Sequence, residues 1–208
     1  MSLNNSLVNF RNDVIKINGY IDLAYEQDIL SNNVRTNDEI EFLVASAFLK
    51  LFIAWEGFLE TSFIAYLTGE ESLDGGPLIK YANPVDETHA HKILIGTQKY
   101  VDWANNEVVN RISALYFENA EPYSTSLNSI GRDLSDLRII RNASAHISST
   151  TQTKLDAVAS RILGIQVTNI SVANFITKIS PEDDTRTVLQ MYQLKLDVTA
   201  ENIAHNRT

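Results

Sequence analysis

Residues 36–66 read TNDEIEFLVASAFLKLFIAWEGFLETSFIAY, and this stretch decides the fold. Apolar side chains fall at Ile40, Leu43, Val44, Ala47, Phe48, Leu51, Phe52, Trp55, Phe58, Leu59, Phe63 and Tyr66. Steps of three and four residues are the period of an α-helix, not the two-residue alternation of a strand. The start is marked as well. Thr36 and Glu39 have the spacing of a capping box, and Asp38 puts negative charge beside the positive helix start. The apolar arc is wide, which predicts a central helix covered by neighbours on several sides. Phe42 to Leu59 is the longest apolar-rich run, but Lys50, Glu56 and Gly57 interrupt it. It therefore reads as a core helix rather than a membrane span.

Outward from this helix the pattern stays helical. Leu3, Leu7, Phe10, Val14, Ile17 and Ile21 predict an N-terminal helix over 3–29, packed on a core at about 35–205, with Asn32-Asn33 in a loop. Residues 69–97 are irregular: Asp74-Gly75-Gly76-Pro77 and Asn83-Pro84 are turn chemistry. Lys92 to Gly96 reads as a short strand or an extended link. A third helix is predicted over 100–117. A fourth starts near Ser124 to Ser126, carries Leu127, Ile130, Leu134, Leu137 and Ile140, and runs to about Ile147. After Ser148-Ser149-Thr150-Thr151 a fifth helix carries Leu155, Val158, Ala159 and Ile162, with Gly164 placed to terminate it. Residues 165–179 stay ambiguous between an extended piece at Gln166–Thr168 and a short helix from Ser171. Ser180-Pro181-Glu182 reads as the start of the last helix. The expectation is an all-α bundle of five to seven helices forming one domain over residues 1–208.

Composition narrows the function. The chain has 208 residues, 17 Lys+Arg against 26 Asp+Glu, a net charge of −9 and no cysteine. The missing cysteine excludes disulfides, thiol nucleophiles and Cys-built metal sites. The acidic balance argues against coating nucleic acid by bulk electrostatics, which depends on Lys and Arg neutralising phosphates. It leaves room for a small local cationic site. The first ten residues lack the apolar run of a signal peptide, so the expected location is the cytoplasm, with no membrane involved. His89-x-His91 would share a face only in a strand, and no third ligand stands nearby, so no metal is expected. No Gly-rich phosphate loop and no nucleophile elbow is present, and no cofactor is expected.

One segment breaks the pattern: Asp136-Leu137-Arg138-Ile139-Ile140-Arg141-Asn142-Ala143-Ser144-Ala145-His146-Ile147. Leu127, Ile130, Leu134 and Leu137 define one stripe, and Arg141 falls at its centre one turn on. A buried guanidinium calls for a carboxylate, a subunit interface or an anionic ligand. His146 lies about 140° further round and shares a face with Asn142, which is placed to orient it. An imidazole can act as acid or base near neutrality, and a guanidinium offers a fork for phosphate. Arg138, one turn earlier, is a possible phosphate contact, or else a partner for Asp133 or Asp136. Arg141 has the competing reading of a salt bridge to Glu56.

Arg141-Asn142-Ala143-Ser144-Ala145-His146 resembles the R-x4-6-H motif of HEPN domains (higher eukaryotes and prokaryotes nucleotide-binding) in its R-N-x-x-x-H form. The context is similar too: a helical bundle, with the motif near the end of a late helix. Trp55-Glu56-Gly57-Phe58 looks like the acidic position in the second helix of RiboL-PSP and MAE-like HEPN families. The resemblance implies a metal-independent endoribonuclease, a homodimer with a composite site, and a role as a toxin or defence component with an antitoxin or defence-system partner. It implies catalytic roles for Arg141 and His146, supporting roles for Asn142 and Glu56, and products ending in a 2′,3′-cyclic phosphate. The alternative is a non-catalytic HEPN-like helical module that binds a partner protein or a nucleotide.

Overall fold

The computed structural model of the chain describes residues 2–96, 99–146 and 148–207. It is all-α apart from one two-stranded hairpin. The helices are α1 (Leu3–Ala24), α2 (Asn37–Thr68), α3 (Glu87–Ile95), α4 (Asn106–Tyr116), α5 (Tyr123–Ser129), α6 (Gly131–Ala145), α7 (Ser149–Leu163), α8 (Val172–Ile176) and α9 (Val188–His205). The hairpin pairs β1 (Ile179–Ser180) with β2 (Asp183–Thr187). Among the described residues seven helices have nine residues or more, and α5 and α8 are short. The chain divides into two compact units, residues 1–12, 54–131 and 196–208 in the first and 13–53 and 132–195 in the second.

Several boundaries follow local chemistry that can be named. At the start of α2 the Glu39 carboxylate accepts from Thr36 N–H at 2.8 Å, and Glu39 N–H donates to Thr36 Oγ1 at 3.3 Å. This is the reciprocal capping box expected there. Gly164 stands just past α7 with φ 67°, a left-handed conformation that costs glycine least. Other boundaries differ from expectation. α1 stops at Ala24 rather than 29, and the α4 region is helical only from Asn106, with Asn105 as its cap. Lys92 to Gly96 is neither strand nor link: it closes α3, which begins where Asp86 Oδ1 accepts from His89 N–H at 2.7 Å. Ser180-Pro181-Glu182 turns the hairpin instead of opening α9. α9 begins behind a second capping box, in which Thr187 Oγ1 accepts from Gln190 N–H at 3.2 Å and Gln190 Oε1 from Thr187 N–H at 2.8 Å.

The first unit has an aromatic core. Phe63 on α2 is fully buried, with ring centroids of Phe117, Tyr123 and Trp103 at 4.8, 5.0 and 5.5 Å. The Tyr66 hydroxyl donates to the Ile203 carbonyl at 2.6 Å, and Tyr123 shares a hydrogen bond with Ser62 at 3.1 Å. Each buried phenol thus has a partner, as burial of a polar group demands.

The second unit packs Val44, Phe48, Leu51 and Phe52 of α2, Leu137 and Ile140 of α6, Leu155 and Val158 of α7, and Phe175 and Ile176 of α8. α2 is the one helix among the described residues long and apolar enough to cross a membrane. Val44, Phe48, Leu51, Trp55, Phe58, Leu59 and Phe63 along it are buried, while Phe42 and Ile53 are exposed.

The link from α7 to α8 is tied by Asp156. Its carboxylate accepts from Asn169 N–H at 2.9 Å, Ile170 N–H at 3.0 Å and Gln152 Nε2 at 2.8 Å. Burial pushes the carboxyl up, but these bonds outweigh it and hold the group below the usual value of 3.8. The tether is therefore complete above the unfolded value and is lost as the pH falls through the lower folded one. The Asn169 and Ile170 amides should keep their hydrogen-exchange protection from pH 7 down to about 4. They should lose it in more acid solution, and Asp156→Ala should remove it at every pH.

Candidate active site

α6 positions the residues the sequence singles out. Its start is set by a break at Ile130, whose φ of −115° and ψ of 22° end α5. Within α6, Leu134 is only half-buried, so the buried face lies on the other side of Leu137. The buried face of α6 is Asp136, Leu137, Ile140 and Ala143. Arg141 is therefore not at the centre of a buried seam but exposed to solvent.

Arg138, Arg141 and Ala145 lie along one exposed strip of α6, as steps of three and four residues place them. Arg141 Nη1 donates to Asn142 Oδ1 at 3.2 Å. Asn142 thus orients the guanidinium through its side chain, while its backbone carbonyl accepts from His146 N–H at 2.9 Å. His146 follows the last residue of α6 and is exposed. Its own carbonyl accepts from the Thr151 hydroxyl at 2.7 Å. Ser148 and Thr151 form the capping box of α7, so the Ser/Thr-rich break fixes the backbone of His146 as well as starting the next helix. Ile147 lies outside the described residues.

Arg138 and Arg141 have no carboxylate partner among the described residues of their unit. The acids expected for Arg138 are engaged elsewhere: Asp133 pairs with Lys195 at 2.8 Å and Asp136 with Arg161 at 2.5 Å. Glu56 is half-buried on α2, belongs to the first unit and is not a free carboxylate. Arg138, Arg141, Asn142 and His146 all belong to the second.

Asp136 is the residue that sequence reasoning missed. It is buried, with Arg161 of α7 on one oxygen and the Tyr192 hydroxyl of α9 at 3.3 Å on the other. Burial, then the Asp136 charge, pushes the Tyr192 phenol well above its ordinary range. Beside this pair lies a cavity of about 40 Å³, lined also by Asp133, Glu182 and Lys195. Burial pulls the Lys195 ammonium down, but the bond to Asp133 outweighs it and the pKa ends raised. The cluster ties α6 to α7 and α9 and so supports the helix that carries the motif. Asp136→Ala should cost about 2 kcal/mol in urea unfolding, below the 3–5 kcal/mol of a fully buried pair because Arg161 is one-third exposed. A change under about 0.5 kcal/mol would show that the pair is not structural.

The two histidines of the His-x-His pair lie on a helix, not a strand, and so point to different faces. His89 Nδ1 accepts from Val85 N–H at 3.3 Å, and His91 Nδ1 is 3.5 Å from Glu60. No group of three or more metal-binding side chains occurs among the described residues. No family model matches the chain, and neither does any curated protein or solved structure.

Proposed function

We propose that this chain is a HEPN-like endoribonuclease that works without metal, as a cytoplasmic homodimer with two motifs at one composite site. The observation that carries this reading is a local one. In a chain of net charge −9, Arg138 and Arg141 stand exposed on the second half of α6 and His146 just past its end, with no carboxylate on either guanidinium among the described residues. Both guanidinium groups are open to an external anion, and Asn142 holds that of Arg141 in place. The start of α7, three residues beyond His146, adds the partial positive charge of a helix N-terminus to the same unit.

Arg141 holds a phosphate through its two-pronged fork, and Arg138 adds a second cation. The RNA 2′-oxygen attacks phosphorus and the bond from phosphorus to the 5′-oxygen breaks. One proton leaves the 2′-hydroxyl and one reaches the 5′-oxygen. His146 carries one of these transfers, and in a dimer its counterpart carries the other. The products are a 2′,3′-cyclic phosphate and a 5′-hydroxyl. Such a nuclease requires restraint, which fits a toxin or defence component held by a partner.

The test is cleavage of RNA by the purified protein in EDTA, with His146→Ala alongside. Cleavage by the native chain and none by the variant supports the reading. Equal cleavage by both, or none by either, overturns it.

A further inference from the structure

Residues 25–36 join α1 to α2 and carry two aliphatic side chains that the chain does not cover. Ile29 is 101% exposed and Leu30 75%. Yet the loop is firmly built. Asp28 N–H donates to the Asn32 carbonyl at 2.9 Å, and Ser31 N–H to the Asp28 carbonyl at 3.0 Å. Asp28 Oδ1 accepts from Leu30 N–H at 2.8 Å and from Asn32 N–H at 2.9 Å. Val34 N–H donates to the Glu26 carbonyl at 2.9 Å, and Arg35 bonds the Glu26 carboxylate at 3.1 Å. The turn thus holds two apolar side chains out in water on an ordered backbone. A surface ordered in advance loses little further entropy when a partner arrives.

A third exposed apolar side chain stands in the first turns of α2, the helix this loop leads into. Phe42 is 71% exposed, and with Leu43, Arg35, Asp38 and Glu39 it lines an open groove of about 360 Å³. The rim has a sign. Glu26, Asp28, Asp38 and Glu39 stand against a single cation, Arg35, whose charge Glu26 already meets. Bonds from the Asn32 and Leu30 amides hold the Asp28 carboxyl below its usual range, and bonds from Thr36 do the same for Glu39. These acids therefore stay charged at neutral pH. A second copy of the chain would bring the same carboxylates to the interface, and like charges across an interface cost affinity. Exposed apolar patches with polar rims are marks of protein docking.

We infer that the surface formed by residues 26–43 docks a basic amphipathic segment of a partner protein. The apolar side chains of that segment lie on Ile29, Leu30 and Phe42, and its Lys and Arg side chains meet Asp28, Asp38 and Glu39. This inference does not rest on the nuclease reading, and either can fail alone.

The experiment uses the full chain and two synthetic fluorescent peptides with the same amphipathic pattern, one of Leu and Lys, the other of Leu and Glu. Fluorescence anisotropy at physiological salt should show binding of the Leu/Lys peptide and none of the Leu/Glu peptide. Joint replacement Ile29→Ser and Leu30→Ser should weaken binding at least tenfold, as should Phe42→Ser. All three positions are exposed, so the fold is not at risk. Ile79→Ser, at an exposed aliphatic of the first unit, should leave binding unchanged. Absence of binding, or equal binding by all variants, overturns the proposal; the second result means attraction by bulk charge. Sedimentation showing a dimer that the Ile29/Leu30 variant dissociates also overturns it, and gives the surface to a second copy.

Discussion

His146→Ala should lower RNA cleavage by at least about 100-fold, the low end of what a positioned acid–base group contributes. The chain offers no substitute. It has no cysteine, and the other three histidines are engaged: His89 with the Val85 amide, His91 beside Glu60, and His205 with Asp74 at 2.6 Å. The His146 ring has no hydrogen bond among the described residues. Arg141→Ala should cost a similar factor. Arg141→Lys should restore little, because an ammonium keeps the charge but not the fork that grips two phosphate oxygens. Both side chains are exposed, so neither alanine variant should shift stability by more than about 0.5 kcal/mol. A loss of activity with unchanged stability separates chemistry from folding. Parallel losses of both would instead assign these residues to the fold.

Phe63→Ala should destabilise the chain by about 3–5 kcal/mol, the usual cost of deleting a buried phenyl ring. For a protein of this size that is a fall of roughly 6–20 °C in Tm. Phe63 is fully buried, and its neighbours Phe117, Tyr123 and Trp103 are rigid rings that close poorly over a void. Phe42 is the matched control. It lies on the same helix and is the same residue type, but it is largely exposed, so Phe42→Ala should change stability by less than about 0.5 kcal/mol. A small effect at Phe63 would mean that the aromatic cluster is not the core of its unit.

The helical architecture was legible because each long helix advertises its period. The capping box of Thr36 and Glu39 and the stop at Gly164 are local chemistry, readable within four residues. The break at Ile130 was not legible. Nor was the face of α6: the step from Leu134 to Leu137 centres an apolar stripe on Arg141, but Leu134 is only half-buried and the buried face runs through Asp136, Leu137, Ile140 and Ala143. Ser180-Pro181-Glu182 and Thr187 to Gln190 are both acceptable helix starts, and only the pairing of β1 with β2 decides between them. Asp136 needed tertiary information of another kind. Its partners lie 25 and 56 residues away, beyond the reach of local pattern. At the motif itself, Arg138, Arg141 and Asn142 lie on α6 and His146 just past its end, whereas the sequence pattern runs that helix to about Ile147.

The ends left on RNA give the most direct measurement. The purified chain is incubated with RNA in EDTA, and the fragments are treated with a phosphatase that removes 3′-monophosphates but not cyclic phosphates. A site built on Arg141 and His146 predicts 3′ ends that resist the phosphatase until mild acid opens the 2′,3′-cyclic phosphate, and none with His146→Ala. Fragments bearing free 3′-hydroxyls, or cleavage that stops in EDTA, would contradict it.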